Sequence, residues 1–188
     1  MTDLAIAGFV CMQGVISSQL LSKLRLEAFH KKKDSRPVYG TSPHQYRAHL
    51  SGLGKAGFTF LAGRSMSELL NILFRMPLSL EKDASCYTYY QPGDYLGPHL
   101  DHAEQCTTTA ILYLDVVYPD QRSDRTGLEL HILDDSPSDE GQTRAVLPTK
   151  AGALVLGLGS VNWHKRPTLQ NGEYLTALTA CYSSPLSA

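Results

Sequence analysis

The amino-acid sequence predicts a mainly β chain with helices at its N-terminal end, folded as an antiparallel sandwich or jelly roll. Three observations carry that expectation. From residue 85 onward the chain breaks into short β-type runs, at 85–90, 107–114, 127–133, 144–147, 152–158 and 173–182. Turn-forming clusters such as Gln91-Pro-Gly-Asp and Asp134-Asp-Ser-Pro-Ser-Asp-Glu-Gly divide these runs, and no helical pattern lies between them, which argues against a parallel α/β sheet. Helical periodicity is confined to the first part of the chain.

Residues 4–10, Leu-Ala-Ile-Ala-Gly-Phe-Val, read as a short apolar strand. The stretch 16–30 reads as an amphipathic helix whose apolar face carries Leu20, Leu21, Leu24 and Leu26, with Ser17 or Ser18 as its N-cap. Residues 34–64 are rich in Gly, Ser, Pro and His and are expected to form loop with short strands, material that often builds lids and substrate walls. A second helix is expected over 65–76, opened by a capping box of Ser65 and Glu68 and closed before Pro77. We read one domain over 1–188, with helical support over about 1–80 packed against one outer face of a β core over about 85–183.

Composition narrows the function. The 188 residues are 43% hydrophobic and 19% charged, enough to bury about two-thirds of the unfolded surface in one core. The formal net charge of -1 provides no basic excess for a phosphate backbone, so nucleic acid is not an expected partner. The run Lys31-Lys32-Lys33 reads as a solvated helix end. No stretch reaches the ~20 apolar residues of a membrane span and no secretory leader is visible, so no membrane partner and a cytoplasmic location are expected. Cys11, Cys86, Cys106 and Cys181 show no CxxC spacing and are expected to be free, mostly buried thiols.

The chemistry centres on His99-Leu100-Asp101. Residues two apart in an extended segment share a side, so His99 and Asp101 can present a nitrogen and an oxygen to one ion. His164, after Ser160-Val-Asn-Trp, is the third candidate ligand. Two imidazoles and one carboxylate occupy one face of an octahedral ion and leave the rest open, as in non-haem Fe(II) oxygenases. Alone, the HxD tripeptide is a weak signal.

Its surroundings strengthen it. Tyr90-Gln-Pro-Gly-Asp-Tyr-Leu-Gly-Pro-His99-Leu-Asp101, then Thr107-Thr-Thr-Ala-Ile-Leu-Tyr-Leu-Asp115, then Gly127-Leu-Glu-Leu-His-Ile, then Pro148-Thr-Lys-Ala-Gly152-Ala-Leu-Val-Leu and Ser160-Val-Asn-Trp-His164-Lys-Arg-Pro167 follow one another in order. Over residues 86 to 182 the chain resembles the 2-oxoglutarate and Fe(II)-dependent oxygenase superfamily, particularly its prolyl-4-hydroxylase-like branch. The resemblance implies a double-stranded β-helix, a jelly-roll variant, with His99, Asp101 and His164 as iron ligands. It also implies a dioxygenase that uses Fe(II), 2-oxoglutarate and O2, with ascorbate as a further candidate, to hydroxylate or oxidise a C–H bond of a small-molecule or amino-acid-like substrate. A peptidyl, prolyl-type hydroxylase is the alternative within the class. A cupin-type metalloenzyme that does not use 2-oxoglutarate is the alternative outside it.

One departure from the family pattern matters. In the family an Arg or Lys in the strand beyond the distal histidine binds the far carboxylate of 2-oxoglutarate, whereas this chain has Gly172-Glu173-Tyr174-Leu175 there. Arg166, two residues past His164 and on its side of an extended strand, is the expected replacement, with Tyr174 adding a hydroxyl and Tyr90 a further co-substrate contact. Lys165, Arg47 and Arg64 come next as cations, and Arg47, Arg64 and His44 fall where a substrate entrance is expected. Gly93 and Gly152 read as turn residues, Glu104 and Glu129 as solvated, and His102 and His131 as histidines outside the metal set.

Overall fold

The computed structural model describes residues 8–40, 45–119, 126–134 and 142–184. The predicted strand 4–10 therefore lies mostly outside the described residues, and strand β1 occupies Phe9–Met12. Helix α1 spans Ser18–Lys32, and the Ser17 hydroxyl caps it by accepting from Leu20 N at 3.3 Å. Leu24 and Ala28 are fully buried on its inner stripe, but Leu26 is exposed, because two residues of helix turn it to the far side from Leu24.

The stretch expected to be loop is more ordered than its composition implies. It holds strands β2, Arg36–Tyr39, and β3, Tyr46–Gly52, then a short helix α2, Lys55–Leu61. Helix α2 has Gly54 at its N-cap and no local side chain to receive its first N–H groups. Glu27 of α1 receives them instead, accepting from Ala56 N at 2.7 Å and Gly57 N at 2.8 Å, so the cap comes from a residue far away in sequence. Helix α3, Arg64–Phe74, starts behind Gly63 without a side-chain cap. The expected Ser65–Glu68 capping box does not form, because the helix starts behind Gly63 and Ser65 already lies inside it; Glu68 pairs with Arg64 at 2.7 Å.

The remaining strands are β4, Ser79–Tyr90; β5, Tyr95–His99; β6, Thr108–Val117; β7, Glu129–Leu133; β8, Thr143–Pro148; β9, Leu154–Gly157; β10, His164–Arg166; and β11, Tyr174–Ser183. All ladders are antiparallel and run in the order β1-β9-β6-β11-β4-β3-β5-β10-β7-β8, with β2 on the other edge of β3. Strand β3 is the joint. Its His49–Gly52 half pairs with β4, while Tyr46 and Arg47 pair with β5. The path thus turns from a larger sheet into a smaller one made of β5, β10, β7 and β8, as a jelly roll requires.

Two clusters fill the interior. In one, Leu24, Leu61, Met66 and Leu70 of the helices cover Leu112 and Leu178 of the larger sheet, which places the helices on its outer face. In the other, Leu128, Leu130 and Ile132 from the smaller sheet and the turn before it pack against Tyr113, Val155 and Ala177 of the larger one. No helix among the described residues is long and apolar enough to cross a membrane.

The cysteine expectation needs correction. Cys106 and Cys181 form a disulfide, while Cys11 and Cys86 are free. The pairing depends on the β6–β11 register, which sets Cys181 opposite Thr109, three residues beyond Cys106, and no local spacing reveals it. Disulfides persist in oxidising surroundings, so this bond does not support the cytoplasmic expectation.

Candidate metal and co-substrate site

The turn Gln91-Pro-Gly-Asp94 begins the site. Gly93 takes φ +88°, which suits glycine, and the carboxylate of fully buried Asp94 accepts from Gln91 N at 3.0 Å. Arg47 Nε stands 3.1 Å from the other oxygen of Asp94 and its guanidinium lies over the Tyr39 ring. Arg47 is thereby a tie between β3 and the turn leading into β5, not a wall of the substrate entrance.

Strand β5 ends on His99 and β10 begins on His164, and the two are direct cross-strand partners. Their rings lie 4.1 Å apart between centroids. His99 Nδ1 is 3.0 Å from Gly97 O and His164 Nδ1 is 2.9 Å from Asn162 O. A carbonyl can only accept, so both imidazoles donate from Nδ1 and present Nε2 toward Asp101, the nitrogen that ligates a metal when it carries no proton. Asp101 Oδ1 stands 3.3 Å from His99 Nε2 and 3.8 Å from His164 Nε2. The three ligand atoms all fall within 4.8 Å of one another, so the structure brings the predicted triad together.

Asp101 is held from behind. Its Oδ2 accepts from the Thr109 hydroxyl of β6, and its N–H donates to Gly159 O at 3.0 Å. A Cβ on Gly159 would sit 1.9 Å from Asp101 Oδ2, so only glycine leaves room for the carboxylate. Sequence reasoning missed Thr109 and Gly159; the first lies in a recognised strand and the second in the Gly-Leu-Gly run before His164, yet neither spacing points to Asp101.

The electrostatics suit a cation. Burial pushes the Asp101 carboxyl up, but the His99 contact, the two imidazoles and the Thr109 hydroxyl outweigh it and hold the group below the ordinary carboxylate range. Burial and the neighbouring His99 push His164, 2% exposed, down to about 4 against the opposing pull of Asp101 and Asn162 O. Asp101 is therefore ionised and His164 neutral near pH 7, the states in which each can ligate a metal. Two imidazoles and one carboxylate fit a divalent first-row ion such as Fe(II).

The triad opens into a cavity of about 450 Å³ between the two sheets, lined in part by Thr88, Tyr90, Tyr113, Leu130, Arg166 and Leu175. Arg166 is 3% exposed. Its Nη1 donates to Gly127 O at 3.1 Å and Thr149 Oγ1 at 2.9 Å, and its Nη2 to the Tyr113 hydroxyl at 2.9 Å. The rings of Tyr90 and Tyr113 lie 5.6 and 5.4 Å from its Cζ. Burial, against the pull of Arg166, pushes the Tyr90 hydroxyl up to about 12. Every acceptor that Arg166 reaches is uncharged, and among the described residues it has no carboxylate partner.

Tyr174 does not join this group. It is 47% exposed, because alternation along β11 turns Leu175, Ala177 and Thr179 into the cavity and Tyr174 away from it. Arg64 lies on the exposed side of α3 paired with Glu68, Lys165 alternates away from Arg166 on β10, and His44 lies outside the described residues. Gly152, at φ +82°, is a turn residue as expected. His131 is held by Glu129 at 2.9 Å, outside the triad.

No protein-family model and no curated protein matches the sequence. Solved structures do match. A prolyl-4-hydroxylase from Pseudomonas putida aligns with a TM-score of 0.66 at 19% identity, over 97% of this chain and 95% of that one. The chain has the fold of the 2-oxoglutarate and Fe(II)-dependent oxygenases. The non-haem α-ketoglutarate-dependent epimerase SnoN from nogalamycin biosynthesis aligns with a TM-score of 0.73 at 15% identity, over 96% of this chain and 80% of that one. HygX from Streptomyces hygroscopicus, solved with nickel, 2-oxoglutarate and hygromycin B, aligns with a TM-score of 0.65 at 13% identity, over 97% and 85% respectively. This double-stranded β-helix fold agrees with the resemblance read from residues 86 to 182.

Proposed function

We propose that the protein is an Fe(II)- and 2-oxoglutarate-dependent oxygenase that oxidises an unactivated C–H bond of a small molecule. The observation that carries this reading is Arg166. A buried guanidinium whose hydrogen-bond partners are all neutral leaves its charge uncompensated, at a cost of several kcal/mol by general estimates, unless an anion enters beside it. It lines the same cavity as the triad and stands two residues from His164. A dicarboxylate with one end at the metal and the other at Arg166 would use both features, and guanidinium is suited to carboxylate.

In this reading His99, Asp101 and His164 hold Fe(II), which when bound supplies the activation of O2 coupled to decarboxylation of 2-oxoglutarate. The chain's own residues do the positioning. Thr109 and Gly159 fix the Asp101 carboxylate, Gly97 O and Asn162 O fix the imidazole tautomers, and Tyr113 and Thr149 aim the guanidinium. The apolar walls exclude water from the reacting centre. The small-molecule assignment draws on SnoN, an epimerase of nogalamycin biosynthesis, and HygX, solved with hygromycin B bound.

The test is succinate formation from 2-oxoglutarate by purified protein with Fe(II) and ascorbate in air. Slow succinate production that disappears in His164→Ala is the expected result. Production equal in the two proteins would reject the assignment.

A further inference from the structure

The charges in the cavity can be assigned one by one. Among its described lining residues, the ionisable or cationic side chains are His99, Asp101, His164, Arg166, His102 and the weakly acidic Cys86 and tyrosines. The first three converge as a metal site, and Arg166 is the candidate carboxylate anchor. His102 is exposed at the rim, where water solvates it. Burial raises the Cys86 thiol and the Tyr90 hydroxyl, so both stay neutral at physiological pH.

Everything else facing the space is neutral. Leu50, Leu96, Ile111, Leu130, Leu175 and Ala177 form apolar walls from both sheets. The polar groups inside them include a pair of threonines, Thr88 on β4 and Thr179 on β11, with hydroxyls 3.2 Å apart, and Gln45, Tyr46 and Thr109 are further uncharged polar side chains of the lining. One hydroxyl hydrogen satisfies that contact, and Thr88 Oγ1 also meets Cys86 Sγ at 3.6 Å, which leaves one further hydrogen available to a neutral group. Neither threonine can compensate a full charge.

We propose that the substrate group admitted to this cavity is neutral and predominantly apolar, with a hydroxyl or carbonyl met by Thr88 and Thr179. This rests on the oxygenase reading, because it takes Arg166 and the triad as occupied by co-substrate and metal. A free amino acid is then the wrong substrate class, since its ammonium and carboxylate would both enter a space with no remaining counter-charge.

Three related probes separate charge from shape: indole, tryptamine and indole-3-acetate. Each is titrated by calorimetry into protein loaded with Mn(II) and saturated with 2-oxoglutarate. Indole is expected to bind at least about tenfold more tightly than either charged relative, the factor that corresponds to 1.4 kcal/mol. Leu50→Asp, which adds a carboxylate to the wall, is expected to weaken indole and strengthen tryptamine. Equal affinities, a preference for a charged probe, or no indole binding by the loaded wild-type protein would each overturn the proposal. The separate titration with 2-oxoglutarate alone identifies the other failure. If that ligand does not bind, Arg166 is left as an anchor for an anionic substrate, and both the oxygenase reading and the neutral-substrate inference fall.

Discussion

His99 and His164 are register partners on adjacent antiparallel strands, β5 and β10, and each donates its Nδ1 proton to a backbone carbonyl two residues earlier in its own chain segment. The ladder therefore fixes both rings and both tautomers before any metal arrives. Single changes His99→Ala, Asp101→Ala and His164→Ala should each remove tight binding of Fe(II) or Mn(II), measured as metal per chain after desalting. Circular dichroism should change little, because His99 and His164 sit at strand ends and Asp101 lies just beyond β5.

The support behind Asp101 should matter nearly as much as the ligand itself. Thr109→Val removes the hydroxyl that donates to Asp101 Oδ2, and Gly159→Ala places a methyl against the same oxygen. Loss of such outer contacts typically weakens metal affinity about 10- to 100-fold. Competition of each variant with a chelator for Mn(II), followed by electron paramagnetic resonance, reads the change directly.

Glu27 should set part of the acid stability. Burial pushes its carboxyl up, but the Tyr87 hydroxyl, at 2.6 Å, and the N–H groups of Gly57 and Ala56 outweigh that and hold it below its ordinary value of 4.5. A carboxyl lowered in the folded state stabilises fully above its unfolded value and loses that contribution as pH falls through the folded one. Glu27→Gln should flatten the fall of Tm below about pH 4.5, whereas Glu27→Ala should cost about 1–3 kcal/mol at neutral pH by stranding the Tyr87 hydroxyl and the start of α2.

Non-reducing thiol titration of unfolded protein should find Cys11 and Cys86 reactive and Cys106 and Cys181 protected until reductant is added. Cys106→Ser should lower stability by about 2–4 kcal/mol in denaturant titrations, in line with crosslinks that close long loops. Four reactive thiols without reductant would contradict the pairing.

How much could be read in advance depended on whether the determinant was local. The near-continuous apolar runs of β6 and β9 and the Ser17 cap of α1 are local, and they were legible. Strand β5 was not, because Gly97 and Pro98 give it the composition of a turn, and its pairing with β3 and β10 supplies the extension. The cap on α2 comes from Glu27 on another helix, and the disulfide partner of Cys106 from a strand at the other end of the chain. At the site, period-two spacing puts Arg166 on the cavity side with His164. The same reasoning could not show that Tyr174 starts β11 on the outward phase, since that phase is set by packing of Leu175 and Ala177.

The role of Arg166 is the central claim, and calorimetric titration of 2-oxoglutarate into Mn(II)-loaded wild type and Arg166→Gln tests it most directly. Glutamine retains neutral hydrogen-bonding capacity toward the Gly127 and Thr149 side while removing the charge, and unchanged Mn(II) affinity would establish that the triad is intact. Removing a charged partner costs roughly 2–5 kcal/mol, so the Kd for 2-oxoglutarate should rise about 30-fold to several-thousand-fold in the variant. An unchanged Kd, with Mn(II) still bound, would contradict the assignment of Arg166 as the carboxylate anchor.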